Sequence, residues 1–256
     1  MVPADDRGFT LGDGLFETVL ARGGELVALS AHLDRLTAGC AALGLPAPDR
    51  AAAARRMRQA LADAGLQDDR AAVRLTLTAG SGGRGLDRPQ APSLRLVATA
   101  APAPKPAGPA RLITARVRRN ERSPASRLKS LSYLDNVLAR AEARAAGADE
   151  ALMLNTAGAL ACAAAANLFW IRDGVLFTPA LDCGVLAGIA RGEVLAGAGR
   201  LGLAAQEVVA GPEALATAEA VFLTNALIGV RPAAALDGRA WAPHPLVEKL
   251  AEAAGR

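Results

Sequence analysis

From Gly14 to Ala21 the chain reads GLFETVLA, an alternation that predicts a strand, and ELVAL (25–29) follows a Gly-Gly pair as the second arm of a hairpin. Ser30 then opens an amphipathic helix, SAHLDRLTAGCAALG, that stops at Gly44, and residues 50–65 predict a second helix. VRLTLTAG (73–80) and LRLVATA (94–100) read as strands with the glycine loop GSGGRG (80–85) between them. APAPKPAGPA (101–110) is a connector, and RLITARVR (111–118) a further strand. Past the basic loop RRNERSPASRLK, Leu134, Val137, Leu138, Ala141 and Ala145 recur at helical spacing, predicting a helix over 132–147 with one apolar face. Ser132 and Asp135 stand at capping-box spacing at its start. The short runs EALMLN, ALAC, NLFWIR and VLFTP predict an antiparallel meander. A helix near 188–199, a strand at 205–210, a short helix after Pro212, a strand at AVFLT and a terminal amphipathic helix complete the pattern. The economical organisation is two α/β domains, 1–118 and 128–256, joined by a loop at 119–127.

The 256 residues suffice for one large domain or two small ones. The net charge of +4 comes from scattered arginines, which gives nucleic-acid binding little support. No apolar run approaches the roughly 20 residues of a membrane helix. MVPADDRGF has no signal-peptide core, so a cytoplasmic protein is expected. Cys40, Cys162 and Cys183 are widely spaced and form neither a disulfide framework nor a zinc pattern. With His32 and His244 the only histidines, no metal site is expected.

The basic residues number 29, and only Lys105, Lys129 and Lys249 are lysines. Lysine, unlike arginine, loses its proton readily enough to act as an amine nucleophile. Lys129 follows Arg118, Arg119, Arg122 and Arg127 and precedes a helix start, surroundings that lower an amine's pKa, so it is the best of the three for a Schiff base. In DCGVLAGIARGEVL (182–195), Gly188 opens a helix whose first N–H groups, those of Ile189 and Ala190, form an anion site. Arg35 in AHLDRL and the polar strand end Thr224-Asn225 in FLTNAL are further candidates. Each also fits an ordinary structural role: a solvated loop, a glycine helix start, a surface arginine, a turn.

Together these segments resemble the fold-type IV pyridoxal-phosphate enzymes, which include branched-chain and D-amino-acid aminotransferases and aminodeoxychorismate lyase. The resemblance runs through RGFTLGDGLFET (7–18), AHLDRL (31–36), GSGGRG (80–85), LKSLSYLDNVLA (128–139), ADEALMLNTAG (148–158), NLFW (167–170), TPALDCGVLAGIAR (178–191) and FLTNAL (222–227). It implies an α/β (α+β) fold with a small N-terminal α/β domain and a larger domain built on a mainly antiparallel sheet. It also implies a homodimer with pyridoxal 5′-phosphate at the junction of the two domains. By the resemblance, Lys129 binds the cofactor covalently, while Arg35, the amides of Ile189 and Ala190, and Asn225 occupy phosphate-binding positions. Thr10, Asp13 and Tyr133 are pocket candidates, although Tyr133 also falls in the helix pattern as a packing residue.

Within the family, TAGSGGRGLD (78–87) and the ADEALMLN…ANLFW block look most like the aminodeoxychorismate lyases. Where aminotransferases of this fold often carry a carboxylate-binding arginine, this chain has Ala79, and Arg84 is the alternative cation for substrate. Where the family usually pairs a glutamate with the cofactor's pyridine nitrogen, this chain has Cys162, and no carboxylate occurs from Gly158 to Asn167. A neutral thiol is a weak donor, so the electron sink is weakened. A lyase, helped by aromatisation of its product, tolerates that better than an aminotransferase. An aminotransferase for D-amino or branched-chain amino acids, and a cofactor-binding paralogue without turnover, are the alternatives. Only MVPADD precedes Arg7, so by the resemblance either a first strand usual in the family is absent or the sequence starts late.

Overall fold

The computed structural model of the chain describes residues 2–82 and 85–255. Contacts divide them into two units, one running through Lys105 and including Leu128–Ser132, the other made of Pro106–Arg127 and the residues from Tyr133 on.

The first unit begins with α1 (Arg7–Leu11), a single turn that the sequence pattern does not reveal. The buried Asp6 carboxylate caps it, accepting from the N–H groups of Gly8 and Phe9, and Gly12 ends it at φ 68°. β1 (Gly14–Arg22) is followed by β2 (Glu25–Leu26), α2 (Leu29–Ala42), α3 (Arg50–Asp63), β3 (Arg70–Thr78) and β4 (Arg95–Pro102). The sheet order is β2-β1-β3-β4, and β1 pairs with β3 from Gly14↔Thr78 to Arg22↔Arg70. Leu15, Val19 and Ala21 of β1 and Val73, Leu75 and Leu77 of β3 pack one sheet face against Leu33, Leu36, Met57 and Leu61 of the helices. α2 begins one residue before Ser30, after Ala28 in the left-handed region at φ 53°, so Ser30 is not its cap. Asp49 does cap α3, accepting from Ala52 N–H.

β2 covers only Ala21 and Arg22 of β1, which leaves the other end of that edge open. Leu128–Ser132 fills it. Phe16 N–H donates to Lys129 O at 2.8 Å, Leu131 N–H donates to Gly14 O at 3.0 Å, and Ser130 bridges antiparallel to Leu15. Gly14 is required here, because a Cβ would stand 2.2 Å from Leu77 O. The boundary expected at 128 is therefore corrected. Backbone pairing places Lys129 with the first unit, and residues 106–118, expected in the first domain, belong to the second.

The second unit contains β5 (Ala110–Thr114), α4 (Pro124–Arg127), α5 (Leu134–Ala145), β6 (Glu150–Leu154), β7 (Leu160–Ala163), β8 (Asn167–Arg172) and β9 (Val175–Pro179). It continues with α6 (Ile189–Arg200), β10 (Ala205–Val208), β11 (Ala220–Asn225), β12 (Gly229–Leu236), β13 (Arg239–Ala240) and α7 (Pro245–Ala253). The sheet order is β10-β9-β8-β11-β12-β5-β6-β7, with β13 beside β12. Antiparallel pairs predominate, and β10–β9, β12–β5 and β5–β6 are parallel. Leu152, Leu160, Leu168, Trp170, Val221 and Leu223 form one core face, and Phe169, Ile171 and Phe222 pack the other against Val194 of α6 and Val247 and Leu250 of α7. The segment after Pro212 forms a 3-10 turn.

The apolar face expected on α5 is present but turned outward. The residues it buries are Asn136, Ala139 and Ala143, while Leu134, Val137 and Leu138 are 67%, 59% and 47% exposed. Small side chains let the helix lie close to β6, and the Asn136 amide spans buried polar groups: it accepts from Arg119 and donates to Ala164 O at 2.8 Å. Tyr133 holds the N-cap position with no side-chain cap hydrogen bond, so the expected Ser132–Asp135 box does not form.

Candidate functional site

On the face of the small sheet away from its helices, Phe16 and Arg74 are diagonal neighbours, since Phe16 pairs with Thr76 and Thr18 with Arg74. The Lys129 ammonium lies 4.1 Å from the Phe16 ring centroid and the Arg74 guanidinium carbon 3.7 Å from it. An amine and a permanent cation thus share one aromatic platform, with the Lys129 backbone fixed by the Phe16 N–H. Of the arginines expected to surround Lys129, Arg119 and Arg127 are engaged within the second unit. Buried Arg119 donates to Gly184 O (2.8 Å), Asn136 Oδ1 (3.1 Å) and Ser126 O, and Arg127 pairs with Asp182. Arg74 is the cation that sequence reasoning missed, because an arginine on the polar face of a strand carries no distinguishing pattern.

Arg35 lies on the opposite face, donating from Nε and Nη2 to both oxygens of Glu17 at 2.8 and 2.7 Å. His32 Nδ1 is 2.7 Å from the same carboxylate. Burial would raise the Glu17 pKa, but the hydrogen bonds from Arg35 and His32 outweigh it and hold the carboxyl below its usual range. This carboxylate orients the Arg35 side chain.

In the second unit, α6 opens at Gly188, which has no side-chain cap. A Cβ there would meet Asn167 Oδ1 at 2.1 Å, and the Asn167 amide is itself tied to Leu186 O at 2.9 Å. Thr224 is the cross-strand partner of Asn167, so its side chain shares the sheet face on which Asn167 reaches Gly188. Thr224 is 1% exposed, and its hydroxyl has no hydrogen-bond partner among the described residues. Uncapped N–H groups at Ile189 and Ala190, a glycine with no room for a side chain and an orphaned buried hydroxyl suit an anionic group such as a phosphate monoester. The Asn225 side chain is committed to the turn. Its amide donates to Ala165 O at 2.8 Å and its carbonyl accepts from Leu227 and Ile228. The phosphate-binding position expected of Asn225 rests on the resemblance, and Thr224 is a polar group on the same sheet face as α6.

Cys162, in β7, is 6% exposed and packs among Ala139, Ala143, Met153 and Val185. Burial pushes its thiol upward in pKa, opposed in part by the Arg119 guanidinium, so it is a neutral thiol. Asp13 is a structural hub, its carboxylate bound by Arg7 at 2.9 Å and by Arg88 at 2.8 and 2.5 Å. Its pKa is lowered, first by the Arg88 hydrogen bond. Thr10 is exposed and its hydroxyl donates to Asp6 O. Neither contact is with a ligand-facing group, so the pocket roles expected of both rest on the resemblance. Arg84 lies outside the described residues, and Ala79, beside the same loop, is fully buried.

Among the described residues no helix is long and apolar enough to cross a membrane, and no cluster of three or more His, Cys, Asp or Glu side chains could hold a metal.

The sequence profile described as Amino-transferase class IV matches residues 14–236. The chain belongs to this family. It is an enzyme of the class IV pyridoxal-phosphate type. A putative branched-chain-amino-acid aminotransferase of Methanocaldococcus jannaschii is 33% identical over 91% of this chain and 82% of its own length. An aminodeoxychorismate lyase of Vibrio harveyi is 30% identical over 92% of this chain and 88% of its own. The crystal structure of 4-amino-4-deoxychorismate lyase from Pseudomonas aeruginosa superposes with a TM-score of 0.89 at 35% identity, covering 98% of this chain and 93% of that one. The cofactor is pyridoxal 5′-phosphate, and the α6 N-terminus suits its phosphate.

Proposed function

We propose that this enzyme is an aminodeoxychorismate lyase, acting as a homodimer and converting 4-amino-4-deoxychorismate to 4-aminobenzoate and pyruvate. The observation that carries the choice within the family is Cys162, a neutral thiol in an apolar cluster where the family usually supplies a carboxylate. The buried Ala79, at a position where aminotransferases of this fold often hold a substrate carboxylate with arginine, points the same way.

The residues then divide the work. Lys129 is the residue for covalent attachment of the cofactor, the α6 N-terminus and the Thr224 hydroxyl suit a phosphate, and the phosphate role of Arg35, whose side chain Glu17 orients, rests on the resemblance. When bound, the cofactor supplies the electron-withdrawing ring that makes a proton beside the substrate amine labile. After the substrate amine has displaced it, the Lys129 amine removes that proton from the amine-bearing ring carbon. The electron pair left behind completes the aromatic ring as the bond to the enolpyruvyl oxygen breaks. Lys129, now protonated, returns a proton toward the departing enol, which leaves as pyruvate. Arg74, on the same Phe16 platform, holds a substrate carboxylate.

The test supplies purified holoenzyme with aminodeoxychorismate and no keto acid and follows 4-aminobenzoate fluorescence, beside Lys129→Ala. Product that requires Lys129 supports the proposal, and its absence at any enzyme concentration removes it. The aminotransferase reading is kept alive by the 33% identity to the Methanocaldococcus jannaschii protein.

A further inference from the structure

The small sheet ends at β4, which pairs with β3 on one side and with no other strand among the described residues. Every second residue of β4 therefore turns its N–H and C=O outward. Among the described residues, none from 94 to 101 makes a backbone hydrogen bond outside the β3 pairing. The devices that guard an open edge are missing: β4 has no lysine and no bulge, and its proline stands at the far end, at Pro102. Its one charged side chain, Arg95, is drawn to Asp6 at 2.9 Å. The core also runs out at this strand. Val73, Leu75 and Leu77 of β3 are fully buried, whereas their cross-strand partners Ala100, Ala98 and Leu96 are only partly covered.

Along this edge lies a groove of about 590 Å³, lined by Val2, Arg56 of α3 and the run from Ser93 to Ala98. Leu94 to Ala98 span roughly 16 Å at about 3.3 Å per residue, the length of a five-residue strand. A strand edge beside a helix flank is the geometry in which an extended peptide adds to a sheet: its backbone pairs with the edge, and alternate side chains are read by the walls. The same sheet already accepts such an addition on its other side, where Leu128–Ser132 pairs with β1. A helix laid in the groove would leave the outward N–H and C=O groups of β4 unpaired, so the occupant is extended. Charge selects its side chains. The described lining carries Arg56 and Arg95 and no carboxylate, and the exposed Arg55 and Arg58 of α3 add to the same field.

We infer that the groove between β4 and α3 docks an extended segment of a partner protein, about five residues long, that pairs with the β4 edge. It carries Asp or Glu toward Arg56 and small apolar side chains toward Leu96 and Ala98. The inference goes beyond the catalytic reading and does not depend on it.

The experiment titrates isotope-labelled full-length holoenzyme with acetylated Glu-Val-Glu-Val-Glu and follows the backbone amide signals by NMR. Controls are the Lys-Val-Lys-Val-Lys counterpart, the acidic peptide with its amides N-methylated, and the Arg56→Glu protein, whose fold circular dichroism checks. The acidic peptide is expected to shift the signals of residues 94–98 saturably, with Kd of about 1 mM or below. Arg56→Glu is expected to weaken binding about tenfold, and the lysine peptide to bind at least as poorly. N-methylation, which removes the donors of a strand pair, is expected to abolish the shifts. Absence of shifts at residues 94–98 well above that concentration overturns the inference. Equal binding of the N-methylated peptide overturns strand addition, and binding unchanged by Arg56→Glu or by the lysine peptide overturns the acidic partner. Shifts at these residues that depend on protein concentration without peptide make the occupant a second copy of the chain, and overturn the partner named here.

Discussion

Replacing Thr224 by valine separates a ligand-binding role from a structural one, because the two roles predict opposite signs. The hydroxyl is buried at 1% exposure with no partner among the described residues, and it faces the N-terminus of α6. A buried hydroxyl without a hydrogen bond costs about 1–3 kcal/mol in desolvation. Valine fills the same volume without that cost and favours a strand. The apo protein should therefore gain about 1 kcal/mol, seen as a rise in Tm of about 2–4 °C by calorimetry. The cofactor should bind less well. Its phosphate loses one charge-assisted hydrogen bond, worth about 1.5–3 kcal/mol, so Kd for pyridoxal phosphate rises roughly 10- to 100-fold in a spectroscopic titration. A variant with lower apo Tm and unchanged cofactor affinity would refute the reasoning, since it would mean the hydroxyl serves the fold.

Arg74→Met should raise KM for aminodeoxychorismate about tenfold while cofactor affinity stays within about twofold, as steady-state kinetics and titration would show. Equal loss of both would contradict a substrate-side role. Cys162→Glu should lower apo Tm, because the carboxylate enters an apolar cluster, and should raise transaminase turnover more than lyase turnover. No difference between the two reactions would sink the argument from the weakened electron sink. Glu17 has a folded-state pKa below its unfolded value, so its contribution is complete above about pH 4.5 and is lost as pH falls through the folded value. Glu17→Gln should therefore be less stable than wild type at pH 7, with the gap narrowing as pH falls below about 4.5, and a gap that does not narrow in acid in denaturant titrations would contradict the assignment.

Much of the fold was legible because its elements carry one period each. β1, β8 and β9 alternate or run apolar between turn residues, and α3 has its capping aspartate. β12 was not legible, because Pro232 within GVRPAAAL reads as a break. In the structure it sits opposite Phe222, and the strand shifts register between Ala233 and Ala235. The apolar periodicity of α5 revealed the helix but not its buried face, since the period identifies a stripe and not what covers it. Lys129 stood out by composition, and Gly188 by its place at a helix start. Their supports did not. The strand edge that receives Lys129, the Phe16–Arg74 platform and the orphaned Thr224 hydroxyl depend on partners distant in sequence.

The central claim is that this class IV enzyme works as a lyase. The most direct test is a comparison of kcat/KM on one holoenzyme preparation, for aminodeoxychorismate without a keto acid and for branched-chain amino acids and D-alanine with 2-oxoglutarate. The account predicts Lys129-dependent release of 4-aminobenzoate that exceeds any transamination by at least about 100-fold, a difference of about 2.7 kcal/mol in transition-state stabilisation. Transamination equal to or faster than 4-aminobenzoate release would contradict it.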